Sequence, residues 1–161
     1  MKVVSDSTVL IGLAKIGKLE LLEKIYGEIF IPNAVFTEVV SRGKGRPGVR
    51  EVGSAKWRRK KTVSDSRTVE MFVAELGIGE AEVLVLGKEI NADWFLLDDP
   101  KARNMAMSAG FHLIGLAGVL LLAEQLGLIP SLRPLLDELE SKNFRLGAKV
   151  RKEILRKANE K

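Results

Sequence analysis

The chain has 161 residues, 46% of them hydrophobic, with a formal charge of +5, no cysteine and a single histidine. That is enough for one ordinary domain with a real core, and it excludes disulfides, thiolate zinc sites, His-rich metal clusters and a Ser-His nucleophile with a choice of bases. Any catalysis must rest on carboxylates, the charge favours a polyanionic partner such as RNA or DNA, and the absence of an apolar run of about 18 residues or a cleavable signal pattern points to a soluble, cytoplasmic protein.

Residues 2–5 form a short apolar strand ending at Ser5-Asp6, and Val9, Leu10, Leu13, Ile16, Leu19 and Leu22 follow at helical spacing. Ser7 or Thr8 is placed to cap that helix. Asp6 stands at the strand's carboxyl end, where open α/β sheets form their ligand crevice, and is either a capping residue or part of a site. A second strand over 28–31 meets Pro32-Asn33, which opens a helix over 34–40. Glu38 lies one turn into that helix among Val35, Phe36, Val39 and Val40, an uncomfortable place for idle charge.

From 42 to 61 the composition turns basic, with Arg42, Lys44, Arg46, Arg50, Lys56, Arg58, Arg59, Lys60 and Lys61 against a single acid, Glu51. Gly43, Gly45, Pro47 and Gly48 make the first part a loop. The segment is either a solvated face or a phosphate-tracking surface; on the second reading Arg42, Lys44, Arg46, Lys56, Arg58, Arg59 and Lys60 contact nucleic acid. Trp57 offers a base-stacking platform or an anchor into the core, and the anchor is preferred.

A helix over 66–76 is broken at Gly77-Ile78-Gly79 before a second helix that is apolar on almost every side and must be buried. Glu80 and Glu82 lie in its first turn, where they either favour the positive end of the helix dipole or need cations. Two residues apart, they point about 200° away from each other. The strand 94–97 runs into Asp98-Asp99-Pro100; one aspartate caps the helix that Pro100 begins and the other is free for a site. A short strand at 113–114 leads to an apolar helix over 119–126, and helices over 131–142 and 146–159 form a C-terminal extension of the single domain 1–161. His112 has no second histidine near it in sequence and reads as structural or exposed.

Strands alternating with helices argue for a three-layer α/β/α sandwich on a mainly parallel sheet. Asp6 and Asp98 then sit at strand carboxyl ends, with Glu38 and Glu80 at helix starts on the same edge. Such a cluster suits one or two Mg²⁺ or Mn²⁺ ions, hard cations that prefer oxygen ligands.

Four stretches in this order, Ser-Asp-Ser-Thr-Val-Leu-Ile from Ser5, Ile-Pro-Asn-Ala-Val-Phe-Thr-Glu-Val from Ile31, Gly-Glu-Ala-Glu from Gly79 and Leu-Leu-Asp-Asp-Pro-Lys-Ala-Arg from Leu96, resemble PIN-domain ribonucleases. The likeness is greatest to prokaryotic PIN proteins carrying Gly-Glu-Ala-Glu, which are related to the toxin nucleases of toxin-antitoxin pairs; the same tetrapeptide recurs in flap endonucleases. The resemblance implies metal-binding and catalytic roles for Asp6, Glu38, Glu80 and Asp98, and a Ser7 hydroxyl that orients Asp6. Glu82 and Asp99 are further candidate ligands. One departure is Leu116, where related sequences tend to carry a small hydroxyl residue after the glycine. The expectation is a Mg²⁺- or Mn²⁺-dependent endoribonuclease, the toxin of a toxin-antitoxin pair, with RNA as substrate, an antitoxin protein as partner and a homodimer as its assembly. A non-catalytic nucleic-acid-binding module of the same fold is the alternative, and a receiver-like phosphoacceptor a third reading.

Overall fold

Four apolar or half-apolar segments and one wholly charged one form the strands: β1 (Val3–Ser5), β2 (Ile29–Pro32), β3 (Arg58–Lys61), β4 (Trp94–Leu96) and β5 (Leu113–Ile114). The computed structural model, which describes residues 1–159, joins them in one sheet of order β3-β2-β1-β4-β5 with every neighbouring pair parallel. Central β1 is fully buried at Val3, Val4 and Ser5, as expected of a strand covered on both faces. Glu160 and Lys161, the last residues of the expected domain, lie outside the described residues.

β3 was not expected. Its residues are Arg-Arg-Lys-Lys, with no apolar alternation to betray a strand, and it is held by main-chain pairing to β2 in the register Ile29↔Arg58 to Pro32↔Lys61. A charged strand is tolerated at a sheet edge, where one side faces water and like charges discourage further pairing. Just before it, Trp57 packs against the core and its carbonyl accepts from the Ile29 amide at 3.0 Å, so the indole is the anchor.

The first expected helix is two: α1 (Ser7–Lys15) and α2 (Glu20–Tyr26). Gly17 takes a left-handed φ of 63° and the Lys18 amide bonds back to the Leu13 carbonyl at 2.9 Å, which ends α1. The helix after β2 begins as α3 (Asn33–Phe36) and widens into a π-helical turn over Thr37–Ser41; a short α4 (Val49–Gly53) leads into β3. The amphipathic α5 (Ser66–Val73) pairs with α6 (Ile78–Glu89), which lies against β1, β2 and β4 and is buried from Val83 to Gly87. The absence of a side chain at Gly87 admits the Phe95 ring, which stacks on Phe111 with centroids 4.5 Å apart.

Beyond β4 come α7 (Pro100–Ser108), then β5, α8 (Leu116–Gln125), α9 (Arg133–Ser141) and α10 (Ala148–Lys157). α8 approaches α1 over Gly12, where a methyl group would meet Leu116 Cδ2 at 2.5 Å. The C-terminal extension is a packing arm: α10 lies on α8 with Ile154 and Leu155 buried, and Arg151 pairs with Asp137 and Glu140 of α9. The layers are those of an α/β/α sandwich. Among the described residues, no helix is long and apolar enough to cross a membrane.

Candidate active site

Because all five strands are parallel, their carboxyl ends share one edge. The chain builds outward from β1 through β2 to β3, then returns to lay β4 on the other side of β1. That reversal opens a crevice between β1 and β4, the place where such sheets bind ligands. Asp6 follows β1 there and Asp98 follows β4.

Asp6 is only 1% exposed and has two employments. Its Oδ1 accepts from the Val9 amide at 2.9 Å, capping α1, and its Oδ2 accepts from the Asp98 amide at 3.0 Å, locking β4's exit to β1's. Burial pushes its carboxyl up to about 7; the Val9 and Asp98 amides pull it down, and the charges of Asp98 and Glu80 push it further up. Asp98 is also raised by burial, against the pull of the Leu116 amide, 3.2 Å from each of its oxygens, and of the Arg103 guanidinium. Arg103 is itself fixed by a 2.7 Å bond from Nη1 to the Leu97 carbonyl.

The other two acids arrive from helices. Glu38 sits on the π-helical turn, exposed, with its Oε2 accepting from the Ser7 hydroxyl and lying against Gly79. The expected partner of Ser7 was Asp6; with both Asp6 oxygens already taken by main-chain amides, the hydroxyl turns to Glu38. Glu80 is half-buried at the first turn of α6, its carboxylate folded back against Gly77. The sequence matches the PIN-domain family over residues 2–160, nearly its whole length. The chain belongs to that family. Comparison with curated proteins finds no match.

PIN domains are generally nucleases and typically use divalent metals. In this PIN domain, Asp6, Glu38, Glu80 and Asp98 share one edge of the sheet, whereas two further candidates hold main-chain groups. Glu82, turned away from Glu80 as the helix geometry requires, accepts from the Ala34 amide at 2.9 Å at the start of α3. Asp99 accepts from the Ala102 amide at 2.9 Å and caps α7, which settles which member of the Asp98-Asp99 pair is the cap.

Among the described residues, no three acidic or histidine side chains are already closed around one point. The donor set nevertheless fits a hard divalent ion. It is all carboxylate oxygen, two of its members, Asp6 and Asp98, are raised by burial so that a cation beside them would favour their ionised forms, and Glu80 and Asp98 lean over glycines whose missing side chains leave a cradle.

Arg103 is the site residue that the sequence reading passed over. Its one signal was a cation one turn into the helix after the aspartate pair. The departure at Leu116 also changes meaning, since the site uses its main-chain N–H, which every residue but proline supplies.

The basic segment divides. Arg42, Lys44, Arg46, Lys56 and Lys60 are exposed. Arg58 is a strut: its Nε and Nη2 bond the Val52 and Gly53 carbonyls at 3.0 and 3.1 Å at the end of α4, and its guanidinium lies 4.9 Å from the Phe36 ring centroid. Arg59 pairs with Glu28 at 2.8 Å, both well exposed, and Lys60 Nζ lies 4.7 Å from the Phe36 centroid. With strands about 4.8 Å apart, β3 runs about 10 Å from β1 across the sheet edge.

Proposed function

We propose that this PIN domain is a Mg²⁺- or Mn²⁺-dependent endoribonuclease, the toxin of a toxin-antitoxin pair, with Asp6, Glu38, Glu80 and Asp98 as its working carboxylates. The observation that carries the reading is the Asp6–Asp98 lock at the reversal of strand order, where the Asp98 amide donates to Asp6 Oδ2 and burial raises both carboxyls above the usual carboxylate range. In a merely structural role one protonated or amide side chain would serve as well. A divalent ion bound there supplies a more acidic water and neutralises charge developing at the phosphodiester. The chain's own residues aim and shield: Asp6 is immobilised by two amides, Asp98 by Leu116 N–H, and Glu38 by Ser7. Glu82 and Asp99 hold α3 and α7 in place. The exposed bases from Arg42 to Lys61 hold the phosphates that flank the cleaved bond. An antitoxin protein and a second copy of the chain are the partners this reading implies, and the cytoplasm its location.

The test is cleavage of mixed single-stranded RNAs by wild-type protein and by Asp6→Asn, with Mn²⁺ and with EDTA. Wild-type cleavage should vanish in EDTA, and Asp6→Asn should lose roughly 100-fold or more in rate while remaining folded. Full activity in Asp6→Asn sinks the assignment. The second reading, a binding module without catalysis, draws on the basic edge strand β3; RNA retained by the wild-type protein but never cut in Mn²⁺ would establish it instead.

A further inference from the structure

We propose that two glycines outside the Gly-Glu-Ala-Glu run, Gly77 and Gly115, set the metal affinity of this site by leaving room for its carboxylates. The inference rests on the metal reading above and deepens it. Neither glycine is needed for backbone freedom: Gly77 (φ −66°, ψ 160°) and Gly115 (φ −94°, ψ −178°) are extended, conformations open to any residue. What matters is the missing Cβ. A methyl group on Gly77 would stand 2.5 Å from Glu80 Oε2. On Gly115 it would fall onto Asp98 Oδ1, well inside the 3.0 Å that real Cβ atoms respect, and 3.3 Å from Arg103 Nη1.

The two positions differ in how they can yield. Glu80 ends a flexible side chain and can swing away. Asp98 cannot retreat freely, because its amide is tied to Asp6 Oδ2 and its oxygens share the amide of Leu116, the residue next to Gly115. Asp98 and Arg103 converge above Gly115 without forming a direct ion pair among the described residues, so the guanidinium does not occupy the Asp98 oxygens. Gly79, the motif's own glycine, is different. A methyl group there lies 3.5 Å from Glu38 Oε2 and 3.8 Å from Val35 Cγ2, ordinary contact distances, and alanine suits a helix better than glycine. The recognisable glycine is therefore the replaceable one.

The experiment is Mn²⁺ titration of the full chain by calorimetry, with thermal melting in EDTA as a control for folding. Gly115→Ala should weaken Mn²⁺ about 10- to 100-fold, Gly77→Ala by less, and Gly79→Ala by no more than about twofold. In EDTA, Gly77→Ala and Gly79→Ala should melt close to the wild-type midpoint, and Gly115→Ala, whose methyl displaces Asp98, lower but still cooperatively. If Gly115 acts through Asp98, adding Gly115→Ala to Asp98→Asn should cause no further loss. Wild-type affinity in Gly115→Ala, alongside weak binding by Asp98→Asn, overturns the proposal and leaves the metal reading standing; a wild-type protein that takes up no Mn²⁺ overturns both. Should Gly115→Ala not fold, Gly77→Ala against Gly79→Ala carries the same comparison, and equal affinities there count against the proposal.

Discussion

Asp6 carries a conflict that a measurement of stability against pH will expose. Its folded-state carboxyl is raised to about 7 from 3.8, so between about pH 4 and 7 the folded chain holds a proton that the unfolded chain has released. Raising the pH through that window therefore costs stability, of the order of a few kcal/mol, until the folded group also ionises near 7. Asp98, shifted the same way, adds to the trend. Asp65 and Glu153, held low by hydrogen bonds from Thr68 and Arg156, act below the window and are fully exposed. Urea melts in EDTA should show stability falling from pH 5 to 7.5, a flatter profile for Asp6→Asn, and recovery with Mn²⁺ at the upper end only; a rise across the window in EDTA would contradict this. A second residue-level contrast separates neighbours: Asp99→Ala should cost about 1 kcal/mol as a lost helix cap yet keep cleavage, whereas Asp98→Ala should abolish it. The strand-end position of both aspartates was legible in the sequence. Their division of labour was not, because it depends on which carboxyl faces Ala102 N and which faces Leu116 N, contacts made across 3 residues in one case and 18 in the other.

Among the elements, those bound by side-chain pattern were readable and the one bound by main chain was not. β1, β4 and the buried α6 announce themselves by apolar runs; β3 has none, and its existence rests on four main-chain pairings with β2 and on Trp57 beside it. The same lack of pattern hid the break at Gly17, where helical spacing continues straight through a left-handed residue. β3 also shows that basic residues in one run do different work. Arg58→Ala loses two hydrogen bonds and a ring contact, and should destabilise the fold by about 1 to 3 kcal/mol without changing the salt dependence of RNA binding. Lys44→Ala and Lys60→Ala should leave stability almost untouched and each lower the slope of log affinity against log salt by roughly 0.7. Denaturant melts and salt-series binding on the same variants decide between these roles, and equal slopes for all three would refute the division.

For the whole molecule, the segment from Arg42 to Lys61 carries nine bases against one acid, and its strand β3 delivers its carboxyl end to the same sheet edge as β1, about two strands away. The all-parallel order explains how: acids far apart in the chain are gathered because every strand delivers its carboxyl end to the same side. Sandwich architecture was legible from the alternation of strand and helix, while the meeting of Asp6 with Asp98 follows only from the strand order. That meeting spans 92 residues. At the ~5–20 residues per second of protein synthesis, about 5 to 20 s separate the emergence of the two aspartates from the ribosome. Until β4 has docked beside β1, Asp6 lacks both the amide that fixes its Oδ2 and the carboxylate of Asp98. The cluster of four carboxylates is therefore completed only once the chain has been made through Asp98, and no earlier part of it holds them all.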